Sequence, residues 1–468
     1  MTANTRRADD RVSPARQVAW DVISAVRESD AYANLLLPVR IQRAALTPAD
    51  AALATELTYG TLRMQGYYDR VIELAANRAS NTIDPPLLDV LRLGTHQLLA
   101  TRVAPHAAVN ESVALARKYG PRNATGFING VLRTISRSDA DQWRARVADE
   151  SGSSDETRAA VTSHPVWIVR ALAAALHSQG RDDELDDLLD ANNLAARVNM
   201  IALPGVAKMP DGVERNHFSP YGFSSPGGDP HELVAQYGEG IRVQDEGSQL
   251  AALTLISALP VTEGERWLDL CAGPGGKAAL LAAAAKSGGA TLIANEMVPA
   301  RAELVRTALR GIDPTVQVWE RDGREIGVTH TQSFDRVLLD APCSGLGALR
   351  RRPEARWRKT PRDIADLTLL QEQLFDSAFQ SLKPGGLLAY VTCSPHLAET
   401  RNVVAAACKR YGDSVELVAV SPILQQLSLN SLDLAGETTT VQLWPHRHGT
   451  DAMFISLIRR TTATGYDE

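Results

Sequence analysis

The stretch Trp267-Leu-Asp-Leu-Cys-Ala-Gly-Pro-Gly-Gly-Lys277 decides how the chain folds. Arg266 to Asp269 alternate as a short apolar strand. Gly273, Pro274, Gly275 and Gly276 then force a tight turn, and Lys277 opens an alanine- and leucine-rich helix running to about residue 286. A strand, a glycine turn and a helix N-terminus aim backbone N–H groups at one spot, a cradle for an anionic or strongly polar cofactor group. The glycine order discriminates between cofactors. A dinucleotide fingerprint needs G-x-G-x-x-G and a phosphate loop needs G-x-x-x-x-G-K-[ST]. Residue 278 is alanine and residue 271 is cysteine, so both lose key positions. A cofactor with a ribose, an adenine and an amino-acid tail but no phosphate remains compatible.

Downstream of Ile241, strands are expected at 265–270, 291–296, 315–319, 334–340, 386–392 and 415–419, with helices at 275–286, 298–309, 363–382 and 397–410. That alternation is the rhythm of an α/β fold with a doubly wound, mostly parallel Rossmann-like sheet, expected over 241–460. Thr440–Leu443 and Met453–Ile458 predict a final antiparallel edge. Upstream, Ala15, Val18, Ala19, Val22 and Val26 share one helical face. Further helices at 48–60, 65–77, 84–100, 107–119 and 125–137, with no convincing strand before about 195, predict an all-α domain over 15–145. Residues 1–14 read as a disordered lead-in and Ser151-Gly-Ser-Ser154 as a polar break. The span 155–240 reads as a small α+β module with helices at 166–177 and 183–190, a strand at 195–201 and a loop at 219–229.

A chain of 468 residues exceeds what one hydrophobic core serves, so several domains are expected. No run of eighteen apolar residues occurs and the N-terminus is polar, which predicts a cytoplasmic protein with no membrane partner. Four cysteines without a CxxC pair argue against zinc, iron–sulfur or a disulfide framework, leaving no metal expected and the thiols themselves as the chemistry. A net charge of −6 argues mildly against a nucleic-acid partner if charge is spread evenly. It is not: Arg350, Arg351, Arg352, Arg356, Arg358, Lys359 and Arg362 stand against Glu354 alone, with Trp357 among them. This run reads as a phosphate-contacting patch with a ring for stacking, or more plainly as a solvated loop.

Ligands bind a doubly wound sheet at the carboxyl ends of its strands. Those ends deliver Asp269 and the glycine turn, Asn295-Glu296 for ribose hydroxyls, Asp322-Gly323 for a purine amino group, Asp340-Ala-Pro-Cys343 and Thr392-Cys393-Ser-Pro395. Carbon 5 of a pyrimidine is a poor nucleophile until a thiolate adds at carbon 6, after which it can take a methyl group from a sulfonium. Such a thiolate needs an acid at the ring N3 and exocyclic amine. Asp340 fits that part if burial keeps it protonated, and it should therefore be shielded from water. Plainer readings exist: Asp322-Gly323 as ordinary turn chemistry, Cys271 and Cys408 as small buried hydrophobes, His396 as structural. A nicotinamide-dependent oxidoreductase would leave Cys393 without a use. A non-catalytic RNA-binding or ribosome-assembly module would not need the intact Asp340, Cys343 and Cys393 set.

The series Leu268 to Lys277, Asn295-Glu296, Asp322, Asp340-Ala-Pro-Cys-Ser-Gly-Leu-Gly347 and Tyr390-Val-Thr-Cys-Ser-Pro-His396 resembles the Sun/NOL/NOP (RsmB-like) RNA 5-methylcytosine methyltransferases. Gln244-Asp-Glu-Gly-Ser-Gln249 looks like the motif that opens that family's catalytic domain. Asn110 to Gly120 and Gly126 to Arg133 look like the closing helices of the NusB-like RNA-binding fold. The resemblance implies Cys393 as the nucleophile, Cys343 as the cysteine that assists release, and Asp340 as the catalytic acid. It also implies S-adenosyl-L-methionine as cofactor, held by Cys271, Ala272, Gly273, Pro274, Gly275, Gly276, Lys277, Glu296, Arg301, Asp322, Gly323 and Asp340. The substrate implied is a cytosine of small-subunit ribosomal RNA, free or in an early assembly intermediate, with another RNA as the alternative, and the protein acting as a monomer. RNA would be gripped by the 350–362 run and a basic face drawn from Arg63, Arg70, Arg92, Arg102, Arg117, Lys118, Arg122 and Arg133. One departure is Asp451-Ala-Met-Phe454 where the family has Asp-Gly-Phe-Phe, which puts the local turn in question.

Overall fold

The computed structural model describes residues 12–461 apart from positions 30, 122, 229, 239 and 437. Most of the lead-in expected over residues 1–14 lies outside the described residues. The chain forms two compact units: residues up to 170 with 189–194 and 349–358, and residues 171–188, 195–348 and 359 onward.

The first unit is helical, with helices Pro14–Ser29, Ala33–Arg43, Pro48–Arg63, Gln65–Ala76, Pro85–Ala100, Pro105–Tyr119, Ala124–Ile135, Ala140–Asp149 and Ser154–Val161. Pro14, Pro48, Pro85 and Pro105 open four of them, where the missing N–H costs nothing. Helix Ala33–Arg43 is not legible in the sequence, because Pro38 lies inside it and Leu35 is 67% exposed, which breaks the apolar stripe. Val18, Ile23, Leu57, Val90, Leu115 and Ile128 fill the core, and Trp20 stacks on Tyr119 with ring centroids 3.6 Å apart.

A charge network crosses this core. Asp89, fully buried, accepts from Arg27 at 2.7 Å and Arg92 at 3.2 Å, while Arg92 forks onto Asp69 at 2.7 and 2.8 Å. Removing one partner of such a set costs about 3–5 kcal/mol, since it strands a buried charge. The expected basic face is corrected accordingly: Arg63 and Arg92 are buried, Arg70 engages Glu73, and Arg122 lies outside the described residues. Arg102, Arg117, Lys118 and Arg133 stay at the surface.

The 350–362 run is the larger correction. Its first part, 349–358, is a segment of the helical unit. Arg356 is fully buried and donates to the carbonyls of Ser163 (2.9 Å), Arg63 (3.3 Å) and Asn192 (3.3 Å) and to Asn193 Oδ1 (2.9 Å). Arg358 donates to the carbonyls of Val26 and Ala31 and lies over the Tyr32 ring. Glu354 accepts from the Ala33 amide, and a side chain at Gly66 would strike the Trp357 ring at 2.3 Å. These guanidinium groups serve carbonyls near helix C-termini, where orphan acceptors and the dipole favour a cation. Arg350 is buried as well, which leaves Arg352 and Arg362 as the exposed arginines of the run.

In the second unit, β1 (Asn199–Ala202), β2 (Gly222–Ser224) and β3 (Ile241–Val243) form an antiparallel sheet in the order β2-β1-β3 around Met200, Ala202, Phe223 and Ile241. β2 lies inside the stretch 219–229 that reads as loop, because three residues between turns carry no alternation to detect. The larger sheet contains β4 (Arg266–Asp269), β5 (Thr291–Asn295), β6 (Gln317–Trp319), β7 (Phe334–Asp340), β8 (Leu382–Thr392), β9 (Val415–Val418), β10 (Thr440–Gln442) and β11 (Phe454–Arg460). Its order is β10-β11-β8-β7-β4-β5-β6, with β9 pairing β11. β8, β7, β4, β5 and β6 run parallel, whereas β11 is antiparallel to β8, β9 and β10. β4 pairs with β5 on one side and β7 on the other, so the strand order reverses there and opens a crevice at the carboxyl ends. Trp267, Leu281, Val391 and Ile455 pack one face, and Leu268, Phe334, Phe375 and Tyr390 the other.

Candidate active site

The glycine turn is shaped by close approach. Gly275 has φ of 110° and precedes helix Gly276–Gly288, and a Cβ there would meet Ala308 Cβ at 2.6 Å. At Gly273 a Cβ would lie 2.1 Å from Glu296 Oε2, so only bare backbone lets this buried carboxylate reach the turn. Arg301 donates to the Gly273 carbonyl at 2.7 Å and lies 3.4 Å from Glu296. Asn295 ties three strand ends together: its amide donates to the carbonyls of Leu270 and Arg321 and accepts from the Arg321 amide. Ala272 is buried, its amide bonded to the Asn295 carbonyl at 2.8 Å. Cys271 and Cys408 pack against the apolar core, and burial pushes both thiols up.

Asp322 caps the short turn Gly323–Glu325, its side chain accepting from the Arg324 amide at 3.0 Å. Arg324 engages both of its oxygens and holds its carboxyl below the usual range. The adjoining Gly323 carbonyl accepts from Ser377 at 2.6 Å.

Parallel pairing of Asp340 with Val391 brings the loops after β7 and β8 to one edge. There the sulfurs of Cys343 and Cys393 lie 3.4 Å apart. The hydrogen bond between them, in which either sulfur can donate, lowers Cys393 from its ordinary thiol value and raises Cys343. Lys277 adds to the lowering of Cys393, against burial and the charges of Asp340 and Asp451, while burial and Glu399 add to the raising of Cys343.

Asp340 departs from expectation. Its side chain is 28% exposed and ion-paired with the nearly buried Lys277 at 2.8 Å, so it is not a shielded, unpaired acid. The physical reason is local: Lys277, which opens the helix after the turn, aims its ammonium at the end of β7. The carboxyl held protonated is Asp269 instead. It is fully buried, neither oxygen makes a full hydrogen bond, and burial, then the charge of Asp340, push it up to about 8. The folded state therefore binds a proton that the unfolded state releases near pH 4. Its contribution to stability is complete below that value and is lost as pH rises toward about 8. Across roughly pH 5 to 8, the melting temperature of the unmodified protein should fall relative to that of Asp269→Asn. A difference between the two that does not change with pH would contradict this assignment.

The Asp451-Ala-Met-Phe454 departure leaves the turn intact. Ala452 is not among the residues with positive φ, and its amide donates to the Gly347 carbonyl at 2.9 Å. His396 caps the short turn Leu397–Glu399 through its Nδ1, a structural role. Glu246 accepts from the amides of Phe218 and Ser219, and Asp245 caps helix Glu246–Ser257. One residue that the sequence did not single out is Glu399, fully buried and bonded to both Ser344 and Ser394. It is an acid in a polar turn, and only its burial betrays it.

Residues 256–459 match the profile of the 16S rRNA methyltransferase RsmB/F family, and residues 13–137 that of the NusB family. The methyltransferase Rv1407 of Mycobacterium tuberculosis is 45% identical over 99% of this chain and 100% of its own length. Ribosomal RNA small subunit methyltransferase B of Salmonella newport is 32% identical over 85% of this chain and 90% of its own. Among solved structures, that of PH0851 matches with a TM-score of 0.77 at 22% identity, covering 96% of this chain and 99% of that one, a likeness of fold.

Proposed function

Because the chain belongs to the RsmB/F family of 16S rRNA methyltransferases and carries a NusB-family region ahead of its catalytic sheet, we propose that it methylates carbon 5 of a cytosine in small-subunit ribosomal RNA, using S-adenosylmethionine and Cys393 as nucleophile. The observation that carries this reading is the pair of sulfurs 3.4 Å apart beside the Lys277–Asp340 ion pair. The residues around the glycine turn suit the cofactor. Gly273 lets Glu296 reach the turn, Glu296 offers a buried carboxyl group to ribose hydroxyls, and Asp269 offers a buried carboxyl without a side-chain partner to an amino group. Cys271, Ala272, Pro274, Gly275 and Gly276 supply the backbone of the cradle, Arg301 steadies Glu296, and Gly323 with Asp322, once Arg324 moves aside, faces the adenine. When bound, S-adenosylmethionine supplies an electrophilic methyl group.

The residues of the chain do the remainder. The target base leaves its stack, because a recessed thiol cannot reach carbon 6 of a stacked cytosine. Cys393 thiolate adds at carbon 6, forming a C–S bond and driving the ring's electron pair toward N3 and the carbonyl oxygen. Lys277 and Asp340, as a pair, meet the N3 and amino edge: the ammonium donates where negative charge gathers and the carboxylate accepts from the amine. After methylation, a water positioned by Cys343 takes the carbon 5 proton, the freed electron pair restores the C5–C6 double bond, and the C–S bond breaks with Cys393 departing as thiolate. The NusB-family region is the part proposed to hold the RNA.

The test is direct. The purified protein, small-subunit ribosomal RNA lacking its modifications and methyl-labelled S-adenosylmethionine should yield label as 5-methylcytosine at one position. RNA that binds without acquiring label would overturn the proposal.

A further inference from the structure

The ladder between β7 and β8 ends before the cysteines begin, with the Ala341 amide bonded to the Val391 carbonyl at 2.9 Å. Both sulfurs therefore sit on irregular backbone, and something other than the sheet must hold them together. Glu399 bonds both loops at once. Its Oε1 accepts from the Ser344 amide at 2.7 Å and from Gln371 Nε2 at 3.2 Å, and its Oε2 accepts from Ser344 Oγ at 2.5 Å and Ser394 Oγ at 2.6 Å. Ser344 follows Cys343 and Ser394 follows Cys393, so each loop is pinned one residue beyond its sulfur. Gln371 braces the same point by donating to the Pro342 carbonyl at 2.8 Å.

Glu399 is fully buried, and its four hydrogen-bond donors are all neutral groups. A buried carboxylate satisfied by neutral donors alone carries a large desolvation cost, which its short, charge-assisted hydrogen bonds offset. An apolar side chain would fill the volume more cheaply but could not join two chains of donors at one acceptor.

We propose that Glu399 is a positioning residue for the two-thiol reaction, its carboxylate fixing Ser344 and Ser394 together and thereby the separation and aim of the Cys343 and Cys393 sulfurs. The inference rests on the two-thiol reading above. The charge of Glu399 acts in the same sense, since it is one cause, after the bond to Cys393 and burial, of the raised Cys343 thiol. A misplacement of about 1 Å in reacting groups costs on the order of 100-fold in rate.

Two measurements on Glu399→Gln, with Ser394→Ala as a milder companion, separate the clamp from the chemistry. The first needs neither RNA nor cofactor. A diazenedicarboxamide oxidant takes one hydrogen from each thiol and becomes the hydrazine as the S–S bond forms, and peptide mass mapping follows Cys343–Cys393 closure. Closure should slow roughly ten-fold in Glu399→Gln and less in Ser394→Ala. The second is methyl transfer, where kcat should fall about 100-fold in Glu399→Gln while KM for RNA and for S-adenosylmethionine changes little. Closure at the unmodified rate in both variants would overturn the clamp. Slowed closure with undiminished kcat would also overturn the proposal, through failure of the two-thiol reading and not of the clamp. If Glu399→Gln does not fold, the same two outcomes are read from Ser394→Ala.

Discussion

Cys343→Ala protein mixed with S-adenosylmethionine and unmodified small-subunit ribosomal RNA is expected to accumulate a protein–RNA adduct that survives denaturing electrophoresis. The sulfurs lie 3.4 Å apart, which on the proposed mechanism sets the assisting Cys343 next to the bond that must break. Alanine at 343 removes that assistance but leaves Cys393 beside Lys277, and addition at carbon 6 proceeds while elimination stalls. The adduct should hold most of the active protein, and peptide mapping should place the RNA on Cys393. Active, folded Cys343→Ala that releases its product freely and shows no adduct would remove the division of labour between the two thiols.

Cys393→Ser is the companion with the larger loss. A serine hydroxyl is far less acidic than a thiol and stays protonated at this position, so methyl transfer should fall by at least about four orders of magnitude. RNA affinity should barely change, because Cys393 contributes little to holding the substrate before the bond forms. Labelled-methyl incorporation checks the first statement and filter binding the second. Residual turnover within about ten-fold of the unmodified protein would mean that Cys393 is not the nucleophile.

Much of this site was legible in order along the chain, and the reasons differ by residue. Gly273 and Gly275 announce themselves because a strand, a turn and a helix leave few alternatives for glycine at those spacings, and the structure gives each a Cβ clash. Cys343 and Cys393 stand out by ending adjacent parallel strands. The ion pair and partial exposure of Asp340 were not legible because its partner, Lys277, is distant in sequence and looked like part of the cradle. Asp269 carries the raised value for the same reason in reverse: burial and a neighbouring carboxylate are properties of three dimensions. Glu399 was illegible because an acid in a polar turn is ordinary until its four donors are seen. The arginine run misled most. A dense basic run with one acid and a tryptophan looks solvated, and nothing local reveals that Arg356 meets carbonyls near residues 63, 163 and 192.

That decapeptide has a consequence for how such a protein can be taken apart. A clone truncated after the α-helical N-terminal region would lack the strand of polypeptide that plugs it, leaving the carbonyls of Arg63 and Ser163 without their guanidinium and a hollow beside Gly66 where an indole belongs. The gene is therefore not a string of interchangeable cassettes. Any graft of a foreign N-terminal region would have to bring its own version of residues 349–358 with it.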